Sequence, residues 1–189
     1  YADAKVLKWG MSGWNSNNAG PWAGNSGATN GNTADGHANW SMDAVTANAT
    51  FDLPSVETES EDGATILEER VAAMLAAGFK GVTSTDVLAA PSNYFLNNFW
   101  AQADVDHYGH VAGAYRISPL GIANLNNLDA SKPVVTYCWT GQTSSMVTAY
   151  LTVLGYDAKS LKFGTNGMIY STLESHKFVT PTVDLPLVQ

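Results

Sequence analysis

Apolar residues fall into short blocks whose spacing alternates between helical and extended periods. Across residues 66–77, Ile66, Leu67, Val71, Met74 and Leu75 recur at helical intervals. Asp62 and Thr65 offer capping oxygens ahead of this block, Glu68 and Glu69 suit the positive end of the helix dipole, and Gly78 suits its exit. Ser84 or Thr85 caps a predicted short helix through Ala89, closed by Pro91. Residues 94–100 form a largely apolar run that reads as a central strand. Residues 134–138, entered from Pro133, read as a second buried strand. A helix is predicted over 143–154, with Met146, Val147, Tyr150, Leu151 and Leu154 on one face and Gly155 after its end. Residues 158–163 give a third strand. This alternation predicts a three-layer α/β domain: a mainly parallel central sheet with helices on both faces.

Residues 15–60 break the pattern. Residues 15–39 are dense in Asn and Gly and have no sustained apolar period, so an irregular, surface-lying connector is expected. Trp22 and Trp40 within it read as anchors that pin it to the folded body. An internal repeat stands on either side of this region. Asp3-Ala4-Lys5-Val6-Leu7-Lys8-Trp9-Gly10-Met11-Ser12-Gly13 matches Asp157-Ala158-Lys159-Ser160-Leu161-Lys162-Phe163-Gly164-Thr165-Asn166-Gly167 at 7 of 11 positions. The later copy closes a domain over residues 61–180, followed by a tail at 181–189. The early copy has no such body before it. Residues 1–14 are therefore expected to be the end of a preceding sister domain, in a chain cut from something longer.

The composition narrows the function. With 9 Lys and Arg against 17 Asp and Glu, the net charge of −8 disfavours nucleic acid and anionic membranes as partners. No membrane span is expected, because the longest uncharged stretch is broken by Thr, Gln, Ser and Gly. Few charges and many Asn, Thr, Ser, Gly and Trp residues favour an extracytoplasmic location, periplasmic or lipid-anchored in a bacterium, over a cytoplasmic one. A single cysteine excludes an internal disulfide and a cysteine-rich zinc site. His37, His107, His110 and His176 lack ligand spacing, so no metal is expected.

That cysteine, Cys138, ends a strand and opens the loop Trp139-Thr140-Gly141-Gln142 ahead of a helix. In parallel sheets, ligands gather at the carboxyl ends of strands. Loop amides and a helix N-terminus there favour a thiolate, the nucleophilic form of cysteine.

These residues resemble the rhodanese-like sulfurtransferases. The family's active loop, C-x-x-G-x-[R/T], reads Cys138-Trp139-Thr140-Gly141-Gln142-Thr143, followed by Ser144. Its G-H-[I/V]-x-G-A signature stands as Gly109-His110-Val111-Ala112-Gly113-Ala114. Its closing strand and Gly-x-x-Gly stand as Leu161-Lys162-Phe163-Gly164-Thr165-Asn166-Gly167. The resemblance spans residues 60–178 and implies a rhodanese-like fold. It implies that Cys138 takes a sulfane sulfur from thiosulfate or a persulfide and passes it to cyanide or a thiol, without metal or cofactor. It assigns Trp139, Thr140, Gly141, Gln142, Thr143 and Ser144 to substrate binding.

The departures are specific. Thr143 stands where many thiosulfate users carry Arg, which disfavours a sulfonate donor. Asn98-Phe99-Trp100 stands where Asp-Val-Arg is usual. Asn98, Trp100 and the lone nearby Arg116 are kept as site neighbours. Phosphatases of this topology need Arg six residues after the cysteine, where Ser144 stands. The alternative to an enzyme is a low-turnover persulfide-binding or interaction module.

Overall fold

The computed structural model describes residues 5–187. Among these, the strands are β1 (Trp40–Ser41), β2 (Gly81–Val82), β3 (Phe95–Asn98), β4 (His110–Val111), β5 (Val134–Tyr137) and β6 (Ala158–Leu161). The α-helices are α1 (Gly20–Ala23), α2 (Gly27–Asn30), α3 (Gly63–Ala77), α4 (Ser84–Ala89), α5 (Gln102–Tyr108) and α6 (Gln142–Val153). Four strands form one sheet in the order β2-β6-β5-β3. Every pairing in it is parallel, with Phe95 opposite Val134 and Val134 opposite Ala158. The expected α/β sandwich is present.

Strand alternation divides the core in two. Phe95, Val134 and Ala158 face one layer with Leu151 of α6, Leu128 and Tyr156. Leu96, Val135 and Tyr137 face the other, with Val87 and Leu88 of α4 and Val105 and Tyr108 of α5. Each fully buried aliphatic side chain contributes about 1.5–3 kcal/mol, so β5 anchors both layers. Helix α3 packs on α6, where the Arg70 guanidinium donates to the Thr152 and Val153 carbonyls at 2.8 and 3.0 Å. The Thr152 carbonyl also accepts the Gly155 N–H at 3.1 Å, and a cation suits that pole of the helix.

Some sequence expectations shift in detail. Thr83 caps α4 by accepting the Asp86 N–H, a position ahead of the expected caps Ser84 and Thr85. Asp62 caps α3 through the Thr65 N–H and hydroxyl, and these bonds hold its carboxyl below the usual carboxylate range. The buried face of α6 is not the apolar stripe: Met146 and Tyr150 are exposed, whereas Ser144, Thr148 and Leu151 are buried. Hydroxyls can face inward because the helix supplies acceptors. Thr148 donates to the Ser144 carbonyl at 2.8 Å and Thr152 to the Thr148 carbonyl at 2.8 Å.

Residues 15–60 hold α1, α2 and β1 and lie against the domain. Trp22 is buried among Trp9, Phe163 and Phe178. The Trp40 indole donates to the Tyr108 carbonyl at 3.0 Å, and β1 pairs antiparallel with β4. Both tryptophans are packing anchors.

Asp3 and Ala4 of the repeat lie outside the described residues; the rest of the early copy has a definite backbone. Trp9 is left-handed at φ 66°, ψ 3°, and Phe163 at φ 62°, ψ 0°. Gly10 and Gly164 follow at φ 57° and 53°, and a 3-10 turn follows each, Gly10–Gly13 and Gly164–Gly167. Non-glycine residues rarely adopt this region, so its recurrence at the matched aromatic position is a shared local conformation. The surroundings differ. A Cβ on Gly164 would lie 2.3 Å from the Cys138 carbonyl oxygen and 2.6 Å from the Gly141 nitrogen, whereas one on Gly10 would meet nothing within 4 Å. Gly10→Ala is expected to cost about 1 kcal/mol from backbone strain alone. Gly164→Ala is expected to cost about 3 kcal/mol or more, because rigid backbone must also move. Urea denaturation of the two variants measures the difference, and equal losses would contradict it.

Candidate functional site

Cys138 follows β5 directly, at the carboxyl end of a strand flanked by neighbours on both sides. The loop turns at Gly141, whose left-handed φ of 79° suits glycine and ends at the N-terminus of α6. This turn brings the first residues of α6 back over the cysteine. The Ser144 N–H donates to Cys138 Sγ at 3.4 Å, and Sγ lies 3.7 Å from Ser144 Oγ. Cys138 is only 3% exposed. Among the described residues, no Lys, Arg or His side chain hydrogen-bonds to the sulfur. The groups available to stabilise a thiolate are therefore an amide, a hydroxyl and the pole of a 12-residue helix.

The loop is held from below by the closing turn. The Thr165 N–H donates to the Cys138 carbonyl at 3.0 Å, and Asn166 Nδ2 donates to the Trp139 carbonyl at 2.8 Å. Asn166 is fully buried; Nδ2 also donates to the His176 carbonyl at 2.9 Å, while Oδ1 accepts the Phe178 N–H at 2.7 Å. One side chain thus fastens both the loop and the segment that crosses it. On one side the Trp139 ring lies against Trp100, with centroids 4.3 Å apart, and His176 stacks on it at 4.9 Å. Gln142 reaches the other way, donating from Nε2 to the Leu7 carbonyl at 2.9 Å. A groove of about 360 Å³ opens beside the loop, walled by Thr140, Gly141, Ser145, Ser160, Trp9 and Phe163 among others.

The residues expected at the site separate into groups. Ser144 touches the sulfur. Thr140 and Gly141 are buried in the loop, and the Thr140 hydroxyl accepts the Gln142 N–H at 3.2 Å. Thr143 is exposed. Trp100 supports the Trp139 ring. Asn98 shares a strand face with Leu96, turned toward the α4 and α5 layer, and is fully buried with neither amide atom hydrogen-bonded. Alternation along β5 puts Cys138 on the opposite face from Tyr137, so Asn98 does not line the sulfur. Arg116 is not in an ion pair among the described residues; its Nε donates to the Trp100 carbonyl at 2.9 Å. His110 is buried, bonded to the Val111 and Asp43 carbonyls at 2.9 and 2.8 Å, and holds the turn of its motif. No group of three or more His, Cys, Asp or Glu side chains converges among the described residues. No described helix is long and apolar enough to cross a membrane.

Asn166 and Ser160 were not among the expected site residues. The repeat carried a signal for Ser160, since the matched position in the early copy is Val6, and a hydroxyl in place of a β-branched strand residue marks a local need.

The parallel sheet in the order β2-β6-β5-β3 is that of an α/β domain, with Cys138 at the carboxyl end of a central strand. No family model matches the chain, and no curated protein matches it. Among solved structures it is similar to a rhodanese-related protein from Thermoplasma volcanium, at 18% identity over 49% of this chain and 93% of that one, with a TM-score of 0.43. A protein from Bacillus halodurans is 17% identical over 51% of this chain and 76% of that one, at TM-score 0.38. One from Lactobacillus plantarum is 25% identical over 53% and 88%, at TM-score 0.39.

Asn166→Ala is expected to strand the Phe178 N–H and the His176 carbonyl, to leave the Trp139 carbonyl only its longer bonds from the Asn166 N–H and the Thr165 hydroxyl at 3.3 and 3.4 Å, and to cost about 2–4 kcal/mol in urea denaturation. A loss below about 1 kcal/mol would show that the loop does not depend on this clamp.

Proposed function

We propose that the protein is a sulfurtransferase that carries sulfur on Cys138. The observation that carries this reading is a lone cysteine at the carboxyl end of a central parallel strand, with its sulfur taking the Ser144 N–H at the mouth of α6. The thiolate attacks the outer sulfur of a donor. With thiosulfate, a bond forms from Cys138 Sγ to the sulfane sulfur, the S–S bond of the donor breaks, and sulfite departs with the electron pair. With a persulfide donor the leaving group is a thiolate. Cyanide or an acceptor thiolate then attacks the terminal sulfur of the Cys138 persulfide and regenerates the thiolate, giving two-step covalent catalysis.

The donor preference follows from the groups around the loop. Thr143 is exposed and neutral, and the net charge of −8 repels a dianion. A thiol persulfide is therefore favoured over thiosulfate. Intact mass after donor exposure tests the reading. The expected result is a gain of one sulfur, faster with a persulfide than with thiosulfate, reversed by a reducing thiol and lost in Cys138→Ala. The second reading, a persulfide-binding module with little turnover, draws on the deep burial of Cys138. Loading without transfer to cyanide or a thiol would favour it, and no loading at all would end both.

We infer in addition that residues 5–13 are the closing turn of a sister unit of the same kind. The matched left-handed backbone at Trp9 and Gly10 supports this. So do the exposed Val6 and Leu7, whose counterparts Ser160 and Leu161 lie in the fully paired strand β6. In a chain that includes such a unit, amide exchange at residues 5–8 is expected to slow markedly relative to the present chain. Unchanged exchange would remove the support.

A further inference from the structure

Three seryl hydroxyls converge behind the cysteine, and only one belongs to its loop motif. Ser144 Oγ lies 2.7 Å from Ser160 Oγ, and Ser145 Oγ lies 3.4 Å from Ser160 Oγ. All three also reach the Gly141 carbonyl oxygen, Ser144 at 3.0 Å and Ser160 at 3.2 Å, with Ser145 closest. Ser144 and Ser160 are fully buried, whereas Ser145 is half-buried and lies with Ser160 on the wall of the groove. Thr136, the register partner of Ser160, holds a further buried hydroxyl with no hydrogen-bond partner. A row of hydroxyls thus runs from the buried sulfur to a surface groove.

We propose that Ser160 is a positioning residue for the Cys138 nucleophile, acting through Ser144, and that the pair Ser144–Ser160 is the route by which the thiol proton reaches the groove. This rests on the reading of Cys138 as the nucleophile. In the protonated state, the thiol donates to Ser144 Oγ and Ser144 donates onward. On ionisation, the Cys138 proton moves to Ser144, the Ser144 proton to Ser160, and the Ser160 proton to water in the groove whose wall it shares, while Ser145 donates to Ser160 at 3.4 Å. Every hydroxyl keeps one hydrogen, and no bond other than S–H and O–H changes. The transfer leaves the row reversed: Ser160 now donates to Ser144, and Ser144 donates to the sulfur anion. Bonds in such a row polarise one another, so the outer hydroxyl strengthens the one that touches sulfur. The Gly141 carbonyl permits the reversal, because it keeps the Ser145 N–H at 2.9 Å when Ser144 turns away.

Charged groups around the row are turned elsewhere. Helix α6 contains no ionisable residue other than Tyr150, which is exposed. On β6, Lys159 pairs with Asp157 at 3.7 Å, and Lys162 lies on the groove rim after the strand. On β5, the Tyr137 hydroxyl accepts the Val111 N–H at 3.2 Å and, on the opposite strand face, points away. Arg70 of α3 is committed to the far end of α6, Arg116 to the Trp100 carbonyl, and His176 lies across Trp139.

The test reads ionisation and not sulfur transfer, so its failure is separable from failure of the enzyme reading. Cys138 is the only cysteine, so the thiolate absorbance is the difference between each protein and its Cys138→Ala counterpart across pH. Ser160→Ala is expected to move the midpoint upward, with about a threefold or larger loss of thiolate at any pH below it. Ser160→Thr, which keeps the hydroxyl, is expected to stay near wild type. Ser144→Ala is expected to shift further than Ser160→Ala. Coincident midpoints for Ser160→Ala and Ser160→Thr would overturn the proposal, as would a Ser144→Ala midpoint equal to wild type. If Ser160→Ala does not fold, Ser160→Thr and Ser144→Ala still decide it.

Discussion

Everything around the cysteine depends on how closely one backbone can approach another where no side chain intervenes. The Cα of Gly164 lies against the Cys138 carbonyl and the Thr140 and Gly141 amides, at separations that leave no room for a Cβ. That approach lets the Thr165 N–H and the Asn166 side chain take the loop carbonyls. With its carbonyls held outward, the loop turns at Gly141 and enters α6 with the Ser144 amide facing the sulfur. A carbonyl aimed at the sulfur would oppose an anion; an amide favours one. The steric absence at one residue thus fixes the polarity of the site several residues away.

The rest of the molecule serves that contact. Strands β5 and β6 lie side by side in the sheet, so their carboxyl ends deliver the loop and the closing turn to one place. Buried residues on both faces of β5 keep the two ends in register. The segment between the two repeat copies presses on the same turn from outside. A Cβ on Gly31 would lie 2.4 Å from the Asn166 carbonyl oxygen, and the Tyr170 N–H donates back to the Gly31 carbonyl at 2.8 Å. Trp22 closes the flank against Phe163 and Phe178. What reads in sequence as a polar connector is thus a brace on the site.

The strands, the two long helices and the position of Cys138 were legible because apolar blocks and the loop motif are local signals. Thr83 was missed as a cap because neighbouring Ser84 and Thr85 carry the same capping chemistry, and only the backbone decides among them. The α6 face was misjudged because periodicity weighs apolar surface and not hydrogen-bond supply. Ser144 and Thr148 are buried where the helix and the Gly141 carbonyl receive their protons. Asn98 was placed beside the site by its position in the motif, but strand alternation turns it to the other face. Ser160 and Asn166 escaped because their partners are distant in sequence and meet only through the parallel pairing of β5 with β6.

The aromatic rings over the loop have an optical consequence. Trp139 follows Cys138 and lies face to face with His176 and close to Trp100. Aromatic pairs at these separations hold a defined mutual geometry, and indoles this near one another couple their transitions. The protein therefore carries an intrinsic chromophore beside Cys138, whose emission and near-ultraviolet dichroism register displacement of the loop without any added label.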